Sequence, residues 1–208
     1  MDPEQPRAMR APAVRASRLA AIREPHVAPL NQYVDDLRRR TRLEVPWIDP
    51  ADGGVNARIL FLLEKPGPMT STMGKKAGSG FISSDNDDPS AENSFLFWQR
   101  VGMPRSLVAR WNVIPGWNGT RKITTSELDA GVGELKTLLP LLPEIRSVVF
   151  VGKQAAKAAK LVRRLGDFHF FESAHPSRLV EISPRPHVRK AWREIPDVWR
   201  EAANQAIL

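Results

Sequence analysis

The sequence predicts an α/β fold, a three-layer α/β/α sandwich around a central four-stranded parallel sheet. Two observations predict it. Short, almost continuous apolar runs recur along the chain, each stopped by a charged or turn-forming residue, and such runs suit strands buried on both faces. Stretches with apolar residues at helical spacing lie between them, so strands and helices alternate and parallel pairing follows. With 208 residues, 42% of them hydrophobic, the chain can bury one sizeable core. The expected organisation is a flexible basic arm over residues 1–28 and a single domain over 29–208.

The arm carries Pro3, Pro6, Pro12 and Pro25 with Arg7, Arg10, Arg15, Arg18 and Arg23, and few large apolar groups to offset the entropy of ordering. A short helix is expected near 16–22. Leu30, Tyr33, Val34 and Leu37 then fall on one helical face, with Asp35 and Asp36 ahead of Arg38, Arg39 and Arg40 as the helix dipole prefers. A turn-rich segment, 45–54, leads into the first strand, 59–63, which halts at Glu64-Lys65-Pro66-Gly67-Pro68.

The polar stretch 69–90 holds Lys75, Lys76, three glycines and a single aromatic, Phe81; loops this long inside a domain are usually functional or mobile. Its acidic run, Asp85-Asn86-Asp87-Asp88, lacks the closing glutamate of a calcium loop and is expected to be a solvated cap. A helix opening at Ser90 points Phe95, Leu96, Trp98 and Val101 inward. The second strand, 108–114, contains one amide, Asn112. Thr124-Thr125-Ser126-Glu127 precedes a helix that runs to 142, and the third strand, 146–152, turns at Gly152-Lys153 into an alanine-rich helix, 154–165. The fourth strand, 167–173, ends in Ala174-His175-Pro176-Ser177-Arg178-Leu179, and a helix over 187–203 carries Val188, Trp192, Ile195 and Trp199 inward.

Composition narrows the function. There is no cysteine, which excludes disulfides, thiolate metal sites and cysteine-held iron–sulfur clusters. No apolar run approaches the roughly 18 residues of a membrane span, so a cytoplasmic protein that makes no membrane contact is expected. A formal charge of +8 favours a polyanionic partner, nucleic acid first. Neither the Walker pattern nor the dinucleotide glycine pattern is present, which disfavours a small phosphate ligand.

Three strand exits carry unusual chemistry: Glu64 after the first, Asn112 on the second, His175 after the fourth. Ligands of open α/β sheets bind outside strand carboxyl ends. In that order, with Phe81 between the first two, the set resembles the uracil-DNA glycosylase superfamily. Leu63-Glu64-Lys65-Pro66-Gly67 is similar to its first motif, in particular the Gly-Glu-Ala-Pro-Gly version of the iron–sulfur branch, and Ala174-His175-Pro176-Ser177-Arg178-Leu179 to its second. The likeness spans about residues 58–200. Leu63 and Lys65 replace small residues, Arg178 replaces a proline, and the cluster cysteines are missing, so the chain resembles a member without the iron–sulfur cluster.

The resemblance implies a monofunctional glycosylase that flips uracil out of DNA and hydrolyses its N-glycosidic bond, initiating base excision repair, as a monomer needing neither metal nor cofactor. Breaking that bond places positive charge on the sugar and negative charge on the departing base. Glu64 is then the catalytic acid motif, its carboxylate stabilising the sugar and orienting water, and His175 donates to the developing oxyanion of the base. Asn112 reads the base edge, Phe81 stacks on the base, and Lys65, Pro66 and Gly67 complete the substrate wall. Ser177, Arg178 and Leu179 are expected at the DNA, with Leu179 or Arg178 filling the gap, and Lys75, Lys76 and Lys153 at phosphates.

Each residue also has an ordinary alternative: a solvated strand exit for Glu64, a capping turn histidine for His175, a loop-bonding amide for Asn112, a core plug for Phe81, and an exposed arginine beside a buried leucine for Arg178 and Leu179. Lys65 could pair with Glu64 or point to DNA. Two further functions stay open: a glycosylase for another deaminated base, such as hypoxanthine or xanthine, and a catalytically silent DNA-binding module of the same fold.

Overall fold

The computed structural model describes residues 5–72 and 77–207. In chain order its elements are α1 (Pro12–Ala20), α2 (Ala28–Thr41), β1 (Trp47–Ile48), β2 (Ile59–Leu63), β3 (Phe81–Ile82), α3 (Pro89–Val101), β4 (Val108–Asn112), α4 (Thr125–Leu138), β5 (Ser147–Val151), α5 (Lys153–Ala156), α6 (Ala159–Val162), β6 (His169–Ser173), α7 (Arg178–Glu181), α8 (Pro186–Arg193) and α9 (Ile195–Ile207). Four strands form one parallel sheet in the order β4-β2-β5-β6, and β1 pairs with β3 in a small parallel sheet beside it.

Side-chain alternation explains the three layers. On β2, Leu60 and Leu62 face a core completed by α2, α4 and α6, whereas Ile59 and Phe61 face a second core completed by Phe97 and Trp98 of α3 and Trp199 of α9. Strand β4 splits the same way, Ala109 and Trp111 to the first core and Val108 to the second. The chain runs from β2 to β4 on one side and then crosses to β5 and β6 on the other, so the direction of winding reverses between β2 and β5. Their carboxyl ends frame the crevice where such sheets take ligands.

Local signals hold with small shifts at the ends. Asp88 caps α3, its carboxylate accepting from Ser90 N–H and Ala91 N–H at 2.9 and 3.0 Å, and Thr124 with Glu127 forms a capping box on α4. The alanine-rich helix is two short pieces, α5 and α6, and the last helix is divided at Glu194, with Pro196 in the first turn of α9.

The amino-terminal segment differs from a free arm. Met9 and Val27 are buried, and its arginines are drawn onto the domain by acids: Arg7 to Glu92 at 2.6 Å, Arg10 to Asp87 at 2.9 Å, Arg18 to Asp85 at 3.0 Å. Charge pairing here supplies what the scarcity of apolar groups withholds. Likewise Asp85, expected in a solvated run, is buried among Arg18 and Arg105. Among the described residues no helix is long and apolar enough to cross a membrane.

Candidate active site

A cavity of about 120 Å³ opens beside the carboxyl ends of β2 and β4. Its wall includes Leu63, Lys65, Pro66 and Gly67 from the exit of β2, Ile82, Ser83 and Asn86 after β3, Ser90 and Ser94 of α3, Arg110 and Asn112 of β4, and His175 with Pro176 after β6. A water occupies about 30 Å³ of liquid, so the space suits one small heterocycle and not a nucleotide.

Asn112 is 4% exposed and reaches the cavity from the last position of β4; its side chain makes no hydrogen bond to the described residues. It sits two positions beyond Arg110, on the same face of the strand. The Arg110 guanidinium is held by Asp52 at 2.7 Å and lies over the Trp98 ring, 4.9 Å from its centroid, so the cation at the cavity floor is fixed.

His175 is brought in by a close approach of backbone. Gly152 has φ +88° and ψ 159°, a conformation for which only glycine is suited, and a Cβ there would lie 3.0 Å from the Cβ of His175. Asn93 on α3 donates to the Pro176 carbonyl at 2.9 Å and ties the same loop down from the other side. Burial lowers the His175 pKa, which leaves the imidazole neutral at pH 7 and able to donate one N–H.

Glu64 lies at the rim. Backbone pairing continues past β2 and β4, with Val113 N–H donating to the Leu63 carbonyl at 2.8 Å and Ile114 N–H to the Glu64 carbonyl at 2.9 Å, so the position of Glu64 is set by the sheet. Its side chain is half-buried and lies outside the cavity lining; the charges that act on it are Arg121 and Lys157. Burial raises its pKa and those two cations draw it back.

Two expectations need correction. Phe81 is 2% exposed and lies outside the cavity wall, because it is the first residue of β3, paired with Trp47 of β1; it is a core plug, and its neighbour Ile82 faces the cavity. Lys65 does not pair with Glu64, although it does line the cavity. Its Nζ donates to Glu127 at 2.6 Å and to the Lys122 carbonyl at 3.1 Å, and this contact is the leading cause of the pKa of Glu127 falling to about 2. Pro66 and Gly67 line the cavity wall. Lys75 and Lys76 lie outside the described residues.

Three of the expected DNA-facing groups, Ser177, Arg178 and Leu179, are consecutive at the start of α7. Ser177 precedes α7, Arg178 is exposed, and Leu179 is 80% exposed, with Ile182 beside it and, next along the chain, Arg185 just before α8 and Arg189, Lys190 and Arg193 within it. Lys153 is exposed at the start of α5. Asn86, Asp88, Asn93, Arg110 and Gly152 were not anticipated at the site. The Asp-Pro pair at 88–89 marks a helix start and was the available signal that this loop returns to the strand ends. Among the described residues no three His, Cys, Asp or Glu side chains come together to hold a metal ion.

Comparison with known proteins decides the family. A model of the uracil DNA glycosylase superfamily matches residues 50–195. The chain belongs to that superfamily. The matched span includes every element from β2 to α8 and leaves α1 and α2 outside it. Among solved structures, a solution NMR structure of a protein from Methanosarcina acetivorans, provisionally described as a uracil DNA glycosylase, is similar at 19% identity with a TM-score of 0.47, over 71% of this chain and 92% of that one. No curated protein matches the chain. Superfamily membership supports a DNA glycosylase, an enzyme that hydrolyses N-glycosidic bonds in a DNA substrate.

Proposed function

We propose that this glycosylase removes uracil from DNA, taking the flipped base into the cavity between β2, β4 and α3. The observation that carries the reading is the pairing of an unengaged, buried amide, Asn112, with a neutral imidazole, His175, on the wall of a space sized for one small ring. An amide offers donors for O4 and an acceptor for N3–H, which is the edge uracil presents. The small volume favours a single-ring base over hypoxanthine or xanthine.

The chemistry follows from the positions. Water adds to C1′ of the deoxyribose, the C1′–N1 bond breaks, and the bonding pair leaves with the base as an anion that later takes a proton from solvent. His175 donates to the oxygen on which that charge develops, where one fixed donor contributes about 3 kcal/mol. Glu64 at the rim lies on the side of the sugar, outside the base cavity, and as a carboxylate it stabilises the cationic sugar and accepts the proton of the attacking water. Arg178 and the exposed Leu179 fill the space vacated in the duplex, and the cations of α8 meet phosphate.

A uracil-containing oligonucleotide incubated with the protein is expected to become alkali-labile at the uracil position. Glu64→Gln and His175→Ala are each expected to slow this about 100-fold, and full activity in both would sink the mechanism. Asn112→Ala should lower uracil release and blunt the choice between uracil and cytosine.

A further inference from the structure

We infer that Arg7 and Arg10 belong to the DNA-binding surface, where they cancel the charge of Asp87 and Glu92, two carboxylates beside the base cavity. The inference rests on the reading of that cavity as a base pocket. Asn86, Asp88 and Ala91 line the cavity, so Asp87 and Glu92 are each a chain neighbour of a lining residue. Both carboxylates meet solvent, their side chains being 22% and 34% exposed. Glu92 also adjoins Asn93, which holds the Pro176 carbonyl at 2.9 Å, and Ser177, Arg178 and Leu179 follow that proline directly. Phosphates arriving there meet these acids at short range, because charges act on one another over about 8 Å at physiological ionic strength.

A chain with a polyanionic substrate thus carries acids where that substrate arrives, and the amino-terminal segment covers them. Arg7 reaches Glu92 at 2.6 Å and Asp87 at 3.5 Å, and Arg10 reaches Asp87 at 2.9 Å. Two arginines set against two carboxylates leave no net charge. Apolar packing of α1 does not explain the placement, since none of its residues is buried. The segment has anchors besides these two arginines: Met9, 2% exposed, donates its N–H to the Asp85 carbonyl at 2.9 Å, and Arg18 pairs with Asp85. Arg7 and Arg10 therefore serve chiefly through their charge. If either gripped a phosphate itself, it would have to leave its acid and expose that repulsion again. The whole segment precedes the span that matches the superfamily, so this cover lies outside the shared domain.

The test compares wild type with Arg7→Ala/Arg10→Ala, with Asp87→Asn/Glu92→Gln, and with all four substitutions together. The readouts are Kd for an undamaged duplex and KM and kcat for uracil release from the same duplex carrying one uracil. Removing the arginines is expected to raise Kd and KM about 10-fold at low salt, the lower end of what electrostatic steering contributes. The difference should narrow in added salt, and kcat should stay within about two-fold of wild type, because the groups that act on the base and sugar are unchanged. Removing the acids alone should tighten duplex binding, since Arg7 and Arg10 then face it uncancelled. Removing all four groups should bring Kd and KM back to within about three-fold of wild type, the coupling expected of paired charges. Kd and KM unchanged in the arginine variant would overturn the inference. So would a quadruple variant as weak as the arginine variant, the result expected if the arginines touch phosphate themselves or only hold the segment down. Wild type that releases no uracil would remove the glycosylase reading itself, and the duplex Kd values would still decide the role of the arginines.

Discussion

Two polar regions share Arg110 and are built on opposite terms. In the first, three arginines and three aspartates interlock: Arg105 reaches Asp49, Asp52 and Asp85 at 2.8, 3.0 and 2.7 Å, Arg110 reaches Asp52, and Arg18 reaches Asp49 and Asp85 at 3.3 and 3.0 Å. Each aspartate meets two arginines. In the second, the cavity, Asn112 and His175 keep hydrogen-bonding capacity open. The chain thus satisfies a demanding buried charge cluster and leaves neutral groups a short distance away unsatisfied. The contrast separates what fixes the fold, including the attachment of the amino-terminal segment through Arg18, from what awaits a ligand.

The largest expected effect lies in the cluster. Arg105→Ala leaves three buried carboxylates short of a partner, and removing one member of a buried ionic group costs about 3–5 kcal/mol. For a chain of this length that corresponds to a fall in Tm of about 10 °C. The carboxylates feel their surroundings differently: burial tends to raise the pKa of Asp49, but Arg105, Arg18 and Arg110 bring it below the ordinary value, whereas at Asp52 burial prevails and the pKa is raised. A loss under 1 kcal/mol in chemical denaturation would show that the cluster is not what holds these loops.

His175→Ala is the opposite case, with about 100-fold loss of base release and little loss of stability at pH 7. The pH dependence of folding sharpens it. Burial lowers the folded-state pKa of His175, so the unfolded chain binds the proton more tightly. The stability linked to this neutral imidazole is fully present above the ordinary histidine value of 6.5 and falls as pH drops through it. The variant should lose that part of the slope in denaturation midpoints measured from pH 7.5 downward.

Much of this division was legible beforehand, and unevenly so. The buried strands announced themselves because both faces of β2, β4 and β5 must be apolar, and the strand exits placed Glu64, Asn112 and His175 correctly at one end of the sheet. Phe81 was misplaced because a lone aromatic between glycines reads the same whether it meets a base or fills a core; the deciding contact, pairing with Trp47, is made between residues 34 positions apart. The partner of Lys65 was hidden for the same reason, since Glu127 is remote in sequence. The charge cluster was hidden altogether: single Asp and Arg residues look solvated unless their distant partners are known.

Gly152→Ala probes the seam between a stable frame and an open site. The added methyl requires a backbone conformation that non-glycine residues avoid and meets His175 at 3.0 Å. Strain of this type costs about 1–3 kcal/mol, and displacement of the imidazole should slow base release about 10-fold, since small errors in placement weigh heavily on rate. Asn93→Ala, which frees Pro176 from α3, should act in the same direction with a smaller loss of stability. Unchanged kinetics in the glycine variant would mean that the position of His175 is set elsewhere.

The smallest effect concerns the charge state of Glu64. Burial raises its pKa, so the neutral acid persists to higher pH than for an exposed glutamate, and Arg121 followed by Lys157 opposes this. If the carboxylate serves the sugar, kcat/KM rises with pH through that pKa. Arg121→Ala withdraws a stabilising cation, which moves the acid limb to higher pH, and Lys157→Ala moves it less in the same direction. Both shifts should shrink in added salt, because exposed charges are screened over about 8 Å at physiological ionic strength. Glu64→Gln abolishes the limb along with most of the rate. An acid limb that ignores both cations, or that survives in the glutamine variant, would assign the titration to a different group and return Glu64 to an ordinary strand exit.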